Sequence, residues 1–141
     1  MTQDFQGAKA LVFIGAPVLV YQRDNDVRWP AHWDFPGGGR EGDETPIDCL
    51  AREVDEEFGL SLSDGGIIWA RMFPSMVYPT ETAWFFVVQF PDAVRTKIAF
   101  GSEGQRWALR PLADVANMPN LVPALRERLS VWLRETGQDP I

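Results

Sequence analysis

Apolar and β-branched residues crowd the segments KALVFIG (9–15) and PVLVYQRD (17–24) on either side of Gly15-Ala16-Pro17. Two such runs flanking turn formers predict a β-hairpin. The polar stretch DNDVRWPAH reads as a loop, and WDF as a short strand running into PGGG. GGIIWARMF, ETAWFFVVQF and QRWALRP are three further strand candidates, joined by MVYPTE and PDAVRTKIAFGSE. Two segments carry the helical period instead. In the first, Ile47, Leu50, Ala51, Val54 and Phe58 fall within one arc at about 100° per residue. In the second, from about Leu121 to Glu135, Val122, Leu125, Leu129, Trp132 and Leu133 form one apolar face, with Asn120 as the expected cap and Pro123 in the first turn. Strands and helices alternate irregularly with several hairpins, which predicts an α/β (α+β) fold with helices packed on a mixed sheet.

The first helix has strong punctuation. Thr45 followed by Pro46 supplies a capping hydroxyl and a proline at the first helical position, and Gly59 supplies a left-handed stop. Its span is therefore 46–58. Glu53, Glu56 and Glu57 occupy a second arc, as neighbours at i+3 and i+4. Eight of the twenty acidic residues lie in GGGREGDETPIDCLAREVDEEFGL (37–60), directly behind three glycines. Like charges at this spacing cost only a few tenths of a kcal/mol in open water. In a partly buried cleft at an effective dielectric near 20 they repel by roughly 3 kcal/mol. Either the face is solvated and relieved by Arg52, or a cation sits among the carboxylates. A hard divalent ion such as Mg²⁺ takes oxygen ligands, often one or two carboxylates plus phosphates and waters.

The 141 residues suit one domain, 1–141, and hydrophobic residues at 45% with charged residues at 23% are ordinary for a globular chain. The net charge of −7, with scattered basic residues, argues against long nucleic acids as partners. ALVFIGAPVLVY is too short and too broken to span a membrane. MTQDFQG lacks a basic leader region, and Cys49, the single cysteine, excludes an internal disulfide; a cytoplasmic location is expected. Cys49 is read as a packing residue and His32 as a solvent-exposed loop residue. The last helix leaves room for a homodimer.

From Gly38 the chain runs through five residues to Glu44, seven more to Arg52, then Arg52-Glu53-Val54-Asp55-Glu56-Glu57-Phe58-Gly59-Leu60. This resembles the Nudix box, G-x5-E-x7-R-E-U-x-E-E-x-G-U with U aliphatic, at every defined position. The resemblance implies a Nudix hydrolase with a mixed sheet sandwiched between helices, cleaving the pyrophosphate bond of a small nucleotide substrate. It implies Mg²⁺ or Mn²⁺ held by Glu53, Glu56, Glu57 and the Gly37 carbonyl. Arg52 orients the glutamates, Glu44 adds an acidic group, and Glu53 is the first choice of general base. VLVYQRD, WDFPGG, TAWFFVVQF, EGQRW and ANMPNLVPALRERL are similar, in order, to the MutT-like branch. That likeness assigns Glu103 as a further ligand or base, Arg23 to the phosphates and Asn117 to a purine edge. It offers Phe35, or an aromatic of Trp84-Phe85-Phe86, as lining of the base pocket; oxidised purine nucleotides are candidate substrates. Trp29 and Trp33 flank the loop that could close over a base. Tyr78 keeps a diadenosine polyphosphate hydrolase open, whereas Pro74 and Pro79 miss the place of the proline usual in ADP-ribose hydrolases. A nucleotide-sensing domain without catalysis is the alternative of a different class, although such domains usually lose box glutamates.

Overall fold

The first strand, β1 (Gly7–Ile14), turns at Gly15 into the antiparallel β2 (Val18–Gln22), the hairpin expected from the apolar runs. The structure is a computed structural model and describes residues 4–138. The expected domain limits and the start of MTQDFQG therefore extend outside the described residues. β3 (Trp33–Asp34), β4 (Gly37–Gly39), β5 (Gly66–Pro74), β6 (Thr82–Phe90) and β7 (Arg106–Arg110) complete a seven-stranded mixed sheet. Its main path is β3-β2-β1-β6-β5, with β4 pairing β1 and β7 pairing β2. β1 and β6 run parallel over Ala8↔Trp84 to Ile14↔Phe90; the other pairings are antiparallel.

The alternation of β1 decides the layers. Ala8, Ala10, Val12 and Ile14 face a core made with Phe86, Val88 and Phe90 of β6 and with helix α1 (Pro46–Phe58). Leu11 faces the other core, with Phe85, Val87 and the last helix. Covered on both faces, β1 reads as a continuous apolar run, as central strands do. The result is the helix–sheet–helix sandwich.

Helix α1 has the expected bounds. Thr45 Oγ accepts from the Asp48 backbone N–H at 3.1 Å, and Gly59 closes the helix in the left-handed region at φ 66°. Replacing Thr45 by alanine should cost about 1 kcal/mol and lower Tm by about 3 °C; a melt unchanged within a degree would remove the cap from the description. Ile47 corrects the expected stripe, being 51% exposed. Rotation places it with Val54 and Phe58, but it belongs to the first turn, and periodicity carries no information on where along the axis the core begins.

The last helix begins two residues later than expected. α3 spans Pro123–Glu135, has no side-chain cap, and leaves Asn120 outside. Asn120 and Leu121 are drawn into backbone pairing with β3: the Trp33 N–H donates to Asn120 O at 2.8 Å, and the Val122 N–H to Trp33 O at 3.0 Å. Pro123 then starts the helix. Its face Val122, Leu125, Leu129, Trp132 and Leu133 is buried as the spacing predicts. A short helix, α2 (Leu112–Ala116), occupies a stretch where the sequence reading placed none.

Candidate active site

The three glycines form strand β4, antiparallel to β1 with Gly37 opposite Lys9. A strand without side chains lets α1 approach closely, and the acidic arc of α1 faces that strand. A Cβ on Gly38 would lie 2.6 Å from the Glu53 carboxyl carbon, so the carboxylate occupies space that only glycine leaves free. The Gly37 N–H donates to Glu57 Oε1 at 2.8 Å. Cys49, fully buried, points at Gly38 O from the same side. Burial pushes its thiol up to about 11, so it packs and does not react.

Arg52 gathers the remaining carboxylates. Its Nε meets Glu44 Oε2 at 2.8 Å and Glu41 Oε2 at 3.0 Å, while Nη1 reaches Glu53 Oε1 at 3.1 Å and Glu56 Oε2 at 3.2 Å. Nη2 donates to Gly39 O at 2.8 Å, tying the guanidinium to the glycine strand. Hydrogen bonding from Arg52 holds the Glu44 carboxyl below the usual range. Burial raises Glu53, against the pull of Arg52. Burial pushes Glu57 up to about 8, opposed by the nearby Lys9 charge and the Gly37 N–H, and reinforced by Glu53 and Asp34. Burial thus makes the charged form of Glu57 costly to hold, despite Lys9 and the Gly37 N–H.

Glu103 reaches the same place from another segment. The loop before β7 is tied to the end of α1 by Ala99 N–H to Phe58 O at 2.9 Å and Gly101 N–H to Glu57 O at 2.8 Å. It brings Glu103 to a cleft of about 380 Å³ lined also by Glu41, Arg52, Glu53, Glu56 and Glu57. Among the described residues no three acidic, histidine or cysteine side chains form a ready-made metal cage. Mg²⁺ does not require one, since a few carboxylates with phosphates and waters complete its shell. The residues fit: hard oxygen donors, one of them pushed toward its neutral form by burial, beside room for phosphates.

That room is a neighbouring cavity of about 450 Å³. Glu53, Glu57 and Glu103 line it together with Lys9, Arg23, Arg28, Trp29 and Arg128. Under it lies a buried network that the sequence reading missed. Asp34, fully buried, accepts from Lys9 Nζ at 3.1 Å, Arg23 Nη1 at 2.7 Å, the Tyr21 hydroxyl at 3.1 Å and the Phe35 N–H at 2.7 Å. Burial, then Asp34, raises the Tyr21 hydroxyl. A lysine heading the apolar run of β1, and an aspartate between two aromatics in WDF, were the available signals; buried charges are seldom unpaired.

Other expected pocket residues lie elsewhere. Strand alternation turns Asp34 toward the cavity network and Phe35 the opposite way. Phe35 is fully buried against Phe85, with ring centroids 6.2 Å apart, in the core under α3. It is a core residue, not a pocket wall. Phe85 and Phe86 are also buried, and Trp84 stacks on Phe86 outside the cavity. Asn117 is exposed, at the end of α2, where its Nδ2 donates to Ala113 O at 2.8 Å; it does not line the cavity. Tyr78 is exposed and also outside it. His32 is half-buried, contrary to expectation, with Nδ1 donating to Pro30 O and its ring edge-on to Trp29. Trp29, at φ 55°, is the loop aromatic that does line the cavity.

The whole is an α/β sandwich: a mixed sheet between helices, with a carboxylate-rich helix seated on a glycine strand beside a cavity lined by both glutamates and basic side chains. Residues 6–133 match the NUDIX domain model, and the chain belongs to the Nudix family. An RNA pyrophosphohydrolase of Francisella tularensis subsp. mediasiatica is 31% identical over 103 residues, 67% of this chain and 59% of that protein. One from Xylella fastidiosa strain M12 is 40% identical over 48 residues, 30% of this chain and 25% of that protein. The chain thus spans between a quarter and three fifths of the length of these two curated relatives. Among solved structures, the MutT protein of Methanosarcina mazei Go1 superposes with TM-score 0.73 at 22% identity, covering 96% of this chain and 98% of that one. The C. elegans Ap4A hydrolase in a binary complex gives 0.74 at 14% identity, covering 94% and 98%. At these identities the two structures speak for the fold.

Among the described residues no helix is long and apolar enough to cross a membrane.

Proposed function

We propose that this chain is a divalent-metal-dependent hydrolase that cleaves the pyrophosphate bond of a nucleoside triphosphate or a related nucleoside diphosphate derivative. The observation that carries this reading is the packing of Glu53 and Glu57 against a side-chain-free strand, with Glu103 brought to the same cleft and Arg52 spanning the outer carboxylates. Glu53, Glu56 and Glu57, with Glu103 and the Gly37 carbonyl, would hold Mg²⁺ or Mn²⁺. When bound, the ion supplies positive charge to the phosphate oxygens and acidifies the attacking water. The remaining steps belong to the protein. The Gly37 N–H holds Glu57 in place, Arg52 keeps Glu53 and Glu56 from swinging away, and Glu53 accepts the proton of the water. Arg23, fixed by Asp34, lies where it can orient phosphates.

The names of the relatives favour a second reading, in which the triphosphate is the 5′ end of an RNA. A panel of ordinary and oxidised nucleoside triphosphates, Ap4A, ADP-ribose and a 5′-triphosphorylated oligoribonucleotide, each with Mg²⁺, separates these substrates. Turnover fastest on free triphosphates, with pyrophosphate released, is the expected result. Preference for the oligonucleotide selects the second reading. Tight nucleotide binding without any turnover removes catalysis altogether.

A further inference from the structure

Arg128 is a buried cation with one hydrogen-bond acceptor among the described residues. It projects from α3 at 2% exposure, with its guanidinium 5.6 Å from the centre of the Phe73 ring and Nη2 donating to Pro74 O at 3.0 Å. That bond uses one of five N–H donors. Pro74 O is that one acceptor. The side chain lines the 450 Å³ cavity. Burial lowers its pKa to about 10, which leaves it a cation at neutral pH.

The carboxylates that act on Arg128 are Asp34 and the adjacent Glu127. Lys9, Asp34 and Arg128 are the buried charged residues among those described, and Asp34 is already shared by Lys9 and by Arg23. Lys9, Arg23 and Arg128 thus draw on one fully buried carboxylate, while the other carboxylates of the cavity, Glu53, Glu57 and Glu103, enter from α1 and from the loop before β7. An unpaired buried charge is costly to keep, and a ring face offsets only part of that cost. Trp29, in the same cavity, holds an indole N–H that lacks an acceptor. Glu53 and Glu57 enter the cavity from α1, whereas Arg128 enters from α3, on the opposite face of the sheet. Carboxylates and guanidinium thus line different parts of one space.

We propose that Arg128 is a specificity-determining residue that binds a phosphate of the substrate not held at the α1 carboxylates, so that affinity depends on the number of phosphates. The inference rests on the nucleoside polyphosphate reading above. A guanidinium fork matches two phosphate oxygens, and an anion balances the charge where a neutral base edge would not.

The test is calorimetric binding of AMP and of the non-hydrolysable methylene-bridged analogues of ADP and ATP, with Mg²⁺, to the wild-type chain and to Arg128→Met and Arg128→Lys. In the wild type each added phosphate should tighten binding. Arg128→Met should weaken the triphosphate analogue by about thirtyfold, as loss of a charged hydrogen-bonded contact does, and AMP by less than about threefold. Arg128→Lys keeps the charge without the fork, should recover part of the loss, and carries the test if the methionine variant fails to fold. Equal weakening of all three ligands makes Arg128 a structural pin between α3 and β5 and overturns the proposal. A change that follows guanine against adenine, measured with the guanine counterparts, and not phosphate number, also overturns it. A wild-type chain that binds none of the ligands refutes the nucleotide reading itself, a result distinct from failure at Arg128 alone.

Discussion

Glu57→Gln should reduce turnover by about a thousandfold while the protein stays folded. Metal assistance contributes several kcal/mol of transition-state stabilisation, and each 1.36 kcal/mol is a factor of ten. Glutamine keeps the shape and can still accept the Gly37 N–H, so packing of α1 on β4 survives. The folding consequence has the opposite sign to the catalytic one. In the metal-free protein the Glu57 carboxyl is pushed up to about 8 by burial, from an ordinary value near 4.5. The unfolded chain therefore releases this proton first as pH rises. Its contribution to stability is complete below about pH 4.5 and is lost as pH climbs toward 8. Thermal unfolding in chelator at pH 5 and pH 8 should show a few kcal/mol less stability at the higher pH, and Glu57→Gln should remove most of that difference. Near-normal turnover in the variant would refute its role as a ligand; a pH-independent wild type would refute the burial of its carboxyl.

Asp34→Asn should be strongly destabilising. Asp34 is the common acceptor for Lys9, Arg23 and Tyr21, and is fully buried. An amide there sets a donor against an ammonium and leaves Lys9 buried without its counter-charge. Breaking a buried pair by removing one partner costs roughly 3–5 kcal/mol, which for a chain of this size lowers Tm by about 10 °C. Lys9→Met in the same chain should recover part of the loss, since removing both charges is far milder than removing one. A single variant within a degree of the wild type would mean the network does not carry the stability assigned to it.

What could be read from the chain was what local chemistry specifies. Thr45-Pro46 and Gly59 act on their own neighbours, and α1 begins and ends where they say. The buried face of α3 followed from spacing, but its start did not, because β3 competes for the backbone of Asn120 and Leu121. Ile47 shows the same limit: rotation gives a direction and not a depth. At the site, Glu53, Glu56, Glu57 and Arg52 share one helix, so sequence spacing brought them together, and the loop carrying Glu103 is anchored on that helix. Phe35 and Asn117 were assigned by likeness of short segments, and which side of a strand or end of a helix faces a cavity is a tertiary matter. Lys9, Asp34 and Arg128 lie on three elements far apart in sequence, so no local pattern announces them as neighbours of one cavity.

The most direct measurement is titration of the purified chain with Mn²⁺, followed by the relaxation of water protons, in the wild type and in Glu57→Gln, with and without nucleotide. Saturable binding that nucleotide strengthens and that Glu57→Gln weakens by an order of magnitude or more is the predicted result. Equal Mn²⁺ affinity in the two proteins, unchanged by nucleotide, would contradict a cation held on the glycine-strand face of α1.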